Sequence, residues 1–163
     1  TNLSVSEISN NEEVAGNSFW KMKFPIISET RMVQDHIFEV QKNIIQDIAA
    51  REDCIIVGRC SDYVLKEHKM CIHIYIFASE EQRMKNCVEV LHLEPQEAKR
   101  MIKDVDRARD SYHTRYAGYL PNDENHQDIM INSGLLGTKG TAQALAEIIR
   151  KKLEIGANPS MKD

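Results

Sequence analysis

An unbroken apolar run, Cys54-Ile55-Ile56-Val57-Gly58, lies between the charged Arg51-Glu52-Asp53 and Arg59. It is too short for a buried helix and rich in β-branched residues, which suit an extended backbone. A strand that is apolar at every position needs cover on both faces, the situation of a strand inside a parallel sheet. Cys71 to Ala78 is a second such run, with Ile72, Ile74 and Ile76 alternating with His73, Tyr75 and Phe77. Asp128-Ile129-Met130-Ile131-Asn132 is a third. Residues 54–58, 72–77 and 129–131 are therefore expected to form strands of one parallel sheet.

The segments around these runs read as helices. Val33, Ile37, Val40, Ile44, Ile45 and Ile48 recur at three- and four-residue spacing and predict a helix over Thr30–Arg51. Cys60 to Glu67 reads as a short helix. Ser79, with Gln82 three residues on, forms a capping box that opens another. Glu94-Pro95 starts the next, whose buried stripe is Ala98, Met101, Val105, Ala108 and Tyr112. Gly118 to Gln127 is a loop, and Gly140 to Leu153 a final helix with Ala144, Ile148 and Ile149 inward. Strand–helix alternation of this kind is the signature of an α/β protein with helices on both faces of a mainly parallel sheet. The whole chain, 1–163, is expected to be one domain with its core over 30–153. Residues 1–28 carry only a hint of a strand at Leu3, Val5 and Ile8, and 154–163 read as a tail.

Composition narrows the function. A hydrophobic fraction of 42% with 28% charged residues is that of a globular protein. No apolar run approaches the ~20 residues of a membrane span, and the polar, acidic start is unlike a signal peptide. The formal net charge of −4 gives no footprint for non-specific nucleic-acid binding. Cys54, Cys60, Cys71 and Cys87 form no C-x-x-C pair, so they read as reduced thiols in a cytoplasmic protein. The histidines are scattered without metal-ligand spacing, no metal site is expected, and there is no G-x-S-x-G.

Arg59 directly follows the first apolar run. Ligands of parallel α/β sheets bind at the carboxyl ends of strands, and a guanidinium can hold phosphate oxygens bidentately. The same position equally suits an arginine paired with a carboxylate at the sheet edge. A second group is Asp106-Arg107-Ala108-Arg109 with Arg115, where Asp106 and Arg109 are i, i+3 neighbours and His113 shares their side. Such a run is more often a solvated helix face, but its arginines could also clamp a transferring phosphoryl group.

Taken in order, these pieces resemble the cytidylate kinase-like family. The segment Ile55 to Leu65, with Gly58-Arg59-Cys60 at its centre, is similar to that family's Gly-Arg-Cys segment. Ile74 to Arg83 matches its next strand and capped helix, Asp106 to Arg109 with Tyr112 resembles its D-x-x-R helix, and Asp128 to Gly137 its last strand and turn. The likeness spans roughly residues 35 to 153. It implies a three-layer α/β/α fold of the P-loop nucleotide kinase type with a helical lid, and transfer of phosphate from ATP·Mg²⁺ to a nucleoside monophosphate such as CMP. By the same resemblance Arg59 would hold the acceptor's phosphate and Asp106 and Arg109 would bind the acceptor; Asp62 is a further candidate for that contact, and Arg107 and Arg115, by their proximity to Arg109, would join it in neutralising the transferring group. Arg83 would lie on the ATP side. In cytidylate kinase itself an Asp follows the phosphate-binding Arg; here Cys60 stands there and the nearest carboxylate is Asp62.

The family's glycine-rich loop after its first strand has no counterpart, since the only glycine before Gly58 is Gly16 and no G-x-x-x-x-G-K-[ST] occurs. Such a strand would lie between the first two apolar runs. Either an upstream segment supplies it, the favoured expectation, or the lineage has given up ATP binding. The alternatives to a kinase are a nucleotide-sensing domain that keeps the acceptor pocket and a partner-binding domain whose arginines are all surface residues. Arg59, Arg107, Arg109 and Arg115 are expected to converge on one cleft.

Overall fold

A computed structural model describes residues 28–157; the hinted strand at Leu3 to Ile8 lies outside them. Helix α1 runs over Ser28–Arg51 and α2 over Ser61–Val64, followed by strand β1 at Ile74–Phe77 and helix α3 at Glu80–Glu89. Helix α4, Pro95–Ala117, comes next, then a 3₁₀ turn at Glu124–His126, strand β2 at Ile129–Asn132 and helix α5 at Ser133–Ala157. Mixed helical layers with a small two-stranded parallel sheet result, compatible with the expected α/β class. No helix among the described residues is long and apolar enough to cross a membrane.

The local signals explain most of these limits. Ser79 accepts the Gln82 N–H at 3.2 Å and so caps α3. Pro95 occupies the first turn of α4, where its missing N–H costs nothing. Gly118 ends α4 at φ 85°, and its N–H bonds back to the Thr114 carbonyl at 3.1 Å. β1 and β2 pair in parallel with Ile74 opposite Ile129 and Phe77 opposite Asn132. The entry to that register is pinned by His73, whose N–H donates to Asp128 Oδ2 at 2.7 Å and whose carbonyl accepts from the N–H groups of Asp128 and Ile129.

Two apolar clusters hold the helices together, and α4 contributes to both. One gathers Phe38, Ile45, Cys60, Val64 and Leu65, with Tyr112 and Tyr116 of α4 packed against it. The Phe38 and Tyr116 rings stack at 4.0 Å. The other joins Cys87 of α3 to Ala98 and Ile102 of α4, with Met84, Val88 and Leu93 around them. The α3–α4 hairpin and the α1–α2 layer are thus packed on successive stretches of one helix.

Three sequence expectations need correction. Residues 54–58 form no strand. Ile56 packs on the first cluster, while Ile55 and Val57 are 92% and 87% exposed. A strand requires a hydrogen-bonded neighbour, and no described strand lies alongside this run. In α1 the inward residues are Phe38 and Ile45, two turns apart, while Val33, Ile37 and Ile44 face outward. Helix α5 starts at Ser133, earlier than Gly140, and reaches Ala157, into the expected tail. Its backbone leaves helical geometry at Gly137, its buried residues are Thr141 and Leu145, and Ile148 is exposed.

The uneven cover of these apolar residues is open to test by urea unfolding. Ile102→Ala should cost about 2–5 kcal/mol, as for other buried large-to-small changes. Ile55→Ala should change stability by less than about 0.5 kcal/mol. Equal losses would mean that Ile55 is covered.

Candidate functional site

The turn after Val57 carries the candidate site. Gly58, Arg59 and Cys60 all have positive φ, at 72°, 58° and 52°. Glycine adopts that region freely, but each of the other two gives up about 1–2 kcal/mol to do so. The turn closes through the Ser61 N–H to the Gly58 carbonyl at 3.1 Å, and α2 then begins with the Val64 N–H on the Cys60 carbonyl at 2.9 Å. Cys60 is 3% exposed, and burial, reinforced by the nearby Asp62 charge, pushes its thiol up to about 12. It is a core residue and no nucleophile.

Arg59 is half-buried and makes no hydrogen bond or ion pair with any described residue. The other half-buried cations of the described residues do have partners: Lys42 has Glu39, Arg83 has Asp106, and Lys152 has the Cys71 carbonyl. Arg59 lies within electrostatic reach of Tyr112, whose phenol is pushed up by burial and by Cys60 while the guanidinium pulls it the other way. Arg109 lies three positions before Tyr112 on α4. It sits on the buried stripe of that helix, in line with Ile102, Tyr112, His113 and Tyr116, yet is itself exposed. Arg109 falls where the two apolar clusters leave α4 uncovered, and it too has no ion pair among the described residues.

The remaining candidates are held by partners. Arg83 and Asp106 form a bidentate pair at 2.9 and 2.6 Å, joining α3 to α4, so the residue expected on the ATP side binds one expected at the acceptor. Arg115 binds Asp35 of α1 at 2.7 Å, and the Tyr116 hydroxyl donates to the same carboxylate at 3.0 Å. These residues, with Phe38, Lys42 and Tyr63, line an open depression of about 460 Å³. Arg107 pairs with Asp104 at 3.6 Å on the outer face. At about 100° per residue, Arg107 and Arg109 point in nearly opposite directions from one helix, so the expected four-arginine cleft does not form. Of the candidate arginines, Arg59 and Arg109 are the two without an ion pair among the described residues.

Asp62 is built into the interior. Both its oxygens lie 3.0 Å from His113 Nε2, the Tyr119 hydroxyl donates at 3.1 Å and the Gln127 amide at 3.4 Å. Its side chain is 16% exposed and that of His113 9%. His113 Nδ1 faces the Tyr119 carbonyl at 2.9 Å. Burial works against the charged ring, but the bonds to Asp62 and to that carbonyl outweigh it and raise the His113 pKa. Burial also opposes the Asp62 charge, yet His113, the Tyr63 N–H and Tyr119 hold its carboxyl below the usual range. Tyr119 also stacks on His126 at 3.6 Å. Sequence reading placed His113 beside Asp106 and Arg109; the ring instead turns inward to a carboxylate 51 positions away, and no local pattern signals such a pair.

A parallel strand pair, a capped helix and an arginine-bearing turn beside a long arginine-bearing helix define a mainly helical protein with a small parallel sheet, compatible with the α/β class. The family model for the cytidylate kinase-like family matches residues 1–135, and the chain belongs to that family. Among solved structures it is similar to an uncharacterized protein from Eubacterium ventriosum ATCC 27560, with 27% identity, a TM-score of 0.63 and 72% of each chain covered. No curated protein matches it.

The buried pair gives stability a defined pH dependence. A raised His113 pKa stabilises the fold fully below the unfolded value of about 6.5, and this contribution is lost as pH rises through the folded value. A lowered Asp62 pKa stabilises above about 3.9 and is lost as pH falls through the folded value. His113→Ala should therefore cost on the order of 3 kcal/mol at pH 6, and measurably less at pH 9 in urea titrations. A pH-independent cost would show that the ring is neutral in the fold.

Proposed function

We propose that this protein takes part in nucleotide phosphoryl transfer by holding the phosphate of a nucleoside monophosphate, CMP being the first candidate, between Arg59 and Arg109. The observation that carries the reading is Arg59 itself, a half-buried guanidinium without a partner among the described residues, in a turn of strained backbone. Unfavourable φ values persist where the surroundings over-determine them, and such positions cluster at ligand sites. An unpartnered, partly desolvated cation is also prepared for a dianion, since charge-assisted bonds strengthen as water is excluded. Membership of the cytidylate kinase-like family supports the choice of a nucleotide.

The same reading assigns a three-layer P-loop kinase frame with α4 in the lid. Its support is the parallel register of β1 and β2, together with the apolar Ile55 and Val57, which have the character of strand residues without strand neighbours. Free thiols at all four cysteines suit a cytoplasmic setting. ATP·Mg²⁺ is the phosphoryl donor this class of chemistry uses, but the residues at hand do not fit it. The 163 residues contain no glycine-rich phosphate loop, and Arg83 is engaged by Asp106. What this chain's own residues supply is the acceptor half. A second reading is a nucleotide-sensing domain that keeps the acceptor pocket and binds without transfer.

Calorimetry with CMP, dCMP, AMP and ATP, beside a coupled kinase assay, tests this. Monophosphates should bind weakly, ATP no better, and no transfer should be measured. Arg59→Ala and Arg109→Ala should each lose about 1.5–3 kcal/mol of monophosphate binding. Turnover, or ATP binding far tighter than CMP binding, would mean that the donor site is present after all. Binding of none of the four would turn the reading toward a partner-binding domain.

A further inference from the structure

His113 is a buried ring that does not touch the acceptor site, yet its protonation is set by geometry. The Tyr119 carbonyl can only accept, so Nδ1 carries a proton. At Nε2 stands Asp62, which also receives the Tyr119 hydroxyl and the Gln127 amide. A carboxylate surrounded by those donors stays ionised, so Nε2 carries a proton as well. The groups facing the ring are Asp62 from α2, Asp110 on its own helix, and Tyr119 from the loop, with Asp123 and His126 behind it. This surrounding field is negative and holds the second proton in place.

Two things depend on that contact. Asp62 follows Cys60 by two residues, so it is the polar anchor of the left-handed turn that presents Arg59; the apolar anchor is buried Cys60. His113 follows Arg109 by one helical turn on α4. The contact between the two residues therefore sets the turn bearing one arginine against the helix bearing the other.

We propose that His113 is a positioning residue for the phosphate site: donating from both ring nitrogens, it locks Asp62, and with it the Arg59 turn, at the spacing from Arg109 at which both guanidinium groups grip one phosphate. This rests on the acceptor-site reading above and adds to it a coupling between His113 protonation and anion affinity. Loss of the Nε2 proton removes the donor that Asp62 faces, releases the turn, and separates the arginines without altering either charge.

The test is CMP calorimetry between pH 7 and 9 on the intact chain, where the phosphate, with its second pKa near ~6, remains a dianion. NMR titration of the His113 ring is followed on the same protein. Wild-type affinity should weaken as His113 loses its proton, with the two midpoints coinciding. His113→Gln, which offers Asp62 a donor that does not titrate, should bind CMP about three- to thirtyfold more weakly at pH 7. It should also show a flat profile, and circular dichroism would confirm that it is folded. If that variant does not fold, the coincidence of the two wild-type midpoints decides alone. Affinity lost in Arg59→Ala but unchanged in His113→Gln, pH profile included, overturns the positioning role and leaves the acceptor site standing. Wild-type affinity that ignores the His113 titration overturns it too. Absence of CMP binding by wild type at every pH removes the acceptor site and this role together.

Discussion

A carboxylate drawn into a protein interior must be surrounded by donors or give up its charge. Asp62 meets that demand with His113, Tyr119 and Gln127, which come from the far end of α4 and from the loop beyond it. Satisfying one buried charge therefore joins α2 to the end of α4 and the loop directly after it, 51 to 65 positions further along the chain. The 3₁₀ turn, the Tyr119–His126 stack and the entry to β2 all follow from where that loop is held. Removing either partner alone would leave the other stranded, the costly case for buried ions.

Helix α4 joins α3 to α1 and α2. Its first half packs on α3 through Ala98 and Ile102, its second half on α1 and α2 through Tyr112 and Tyr116. The ion pairs repeat this division. Arg83 of α3 reaches Asp106, and Asp35 of α1 reaches Arg115. Between these attachments the helix exposes Arg109 on a side that is otherwise buried. A gap of that kind in a packed stripe is where a ligand can reach a helix without displacing core.

Sequence reading succeeded where structure is local. The Ser79 cap, the Pro95 start, the Gly118 stop and the strand at Ile74–Phe77 are each decided by a few adjacent residues, and each stands in the structure, although burial along the strand does not alternate. It failed where the outcome depends on distant partners. The run at Cys54–Gly58 has every intrinsic mark of a strand, but strand character is conferred by a neighbour, and composition does not show whether one is present. The arginines of α4 were similarly misjudged as a group. Spacing placed them on one helix, but their counter-ions Asp35 and Asp104, set by packing and by helix phase, decide which are available. The turn that carries Arg59 was legible because it combines a glycine with the end of an apolar run. His113 was not, because its meaning lies wholly in Asp62.

The parallel pairing of β1 and β2 has a consequence in time. Parallel neighbours cannot be joined by a tight turn, and here the Ser133 hydroxyl that closes on the Phe77 carbonyl is 56 positions away. The intervening chain is itself the α3–α4 hairpin, whose contacts are short in sequence and form without waiting for the rest. Chain-closure entropy favours the nearer contacts first. The hairpin thus acts as a splint that shortens the effective distance between the strands, and the sheet is among the last parts to be assembled.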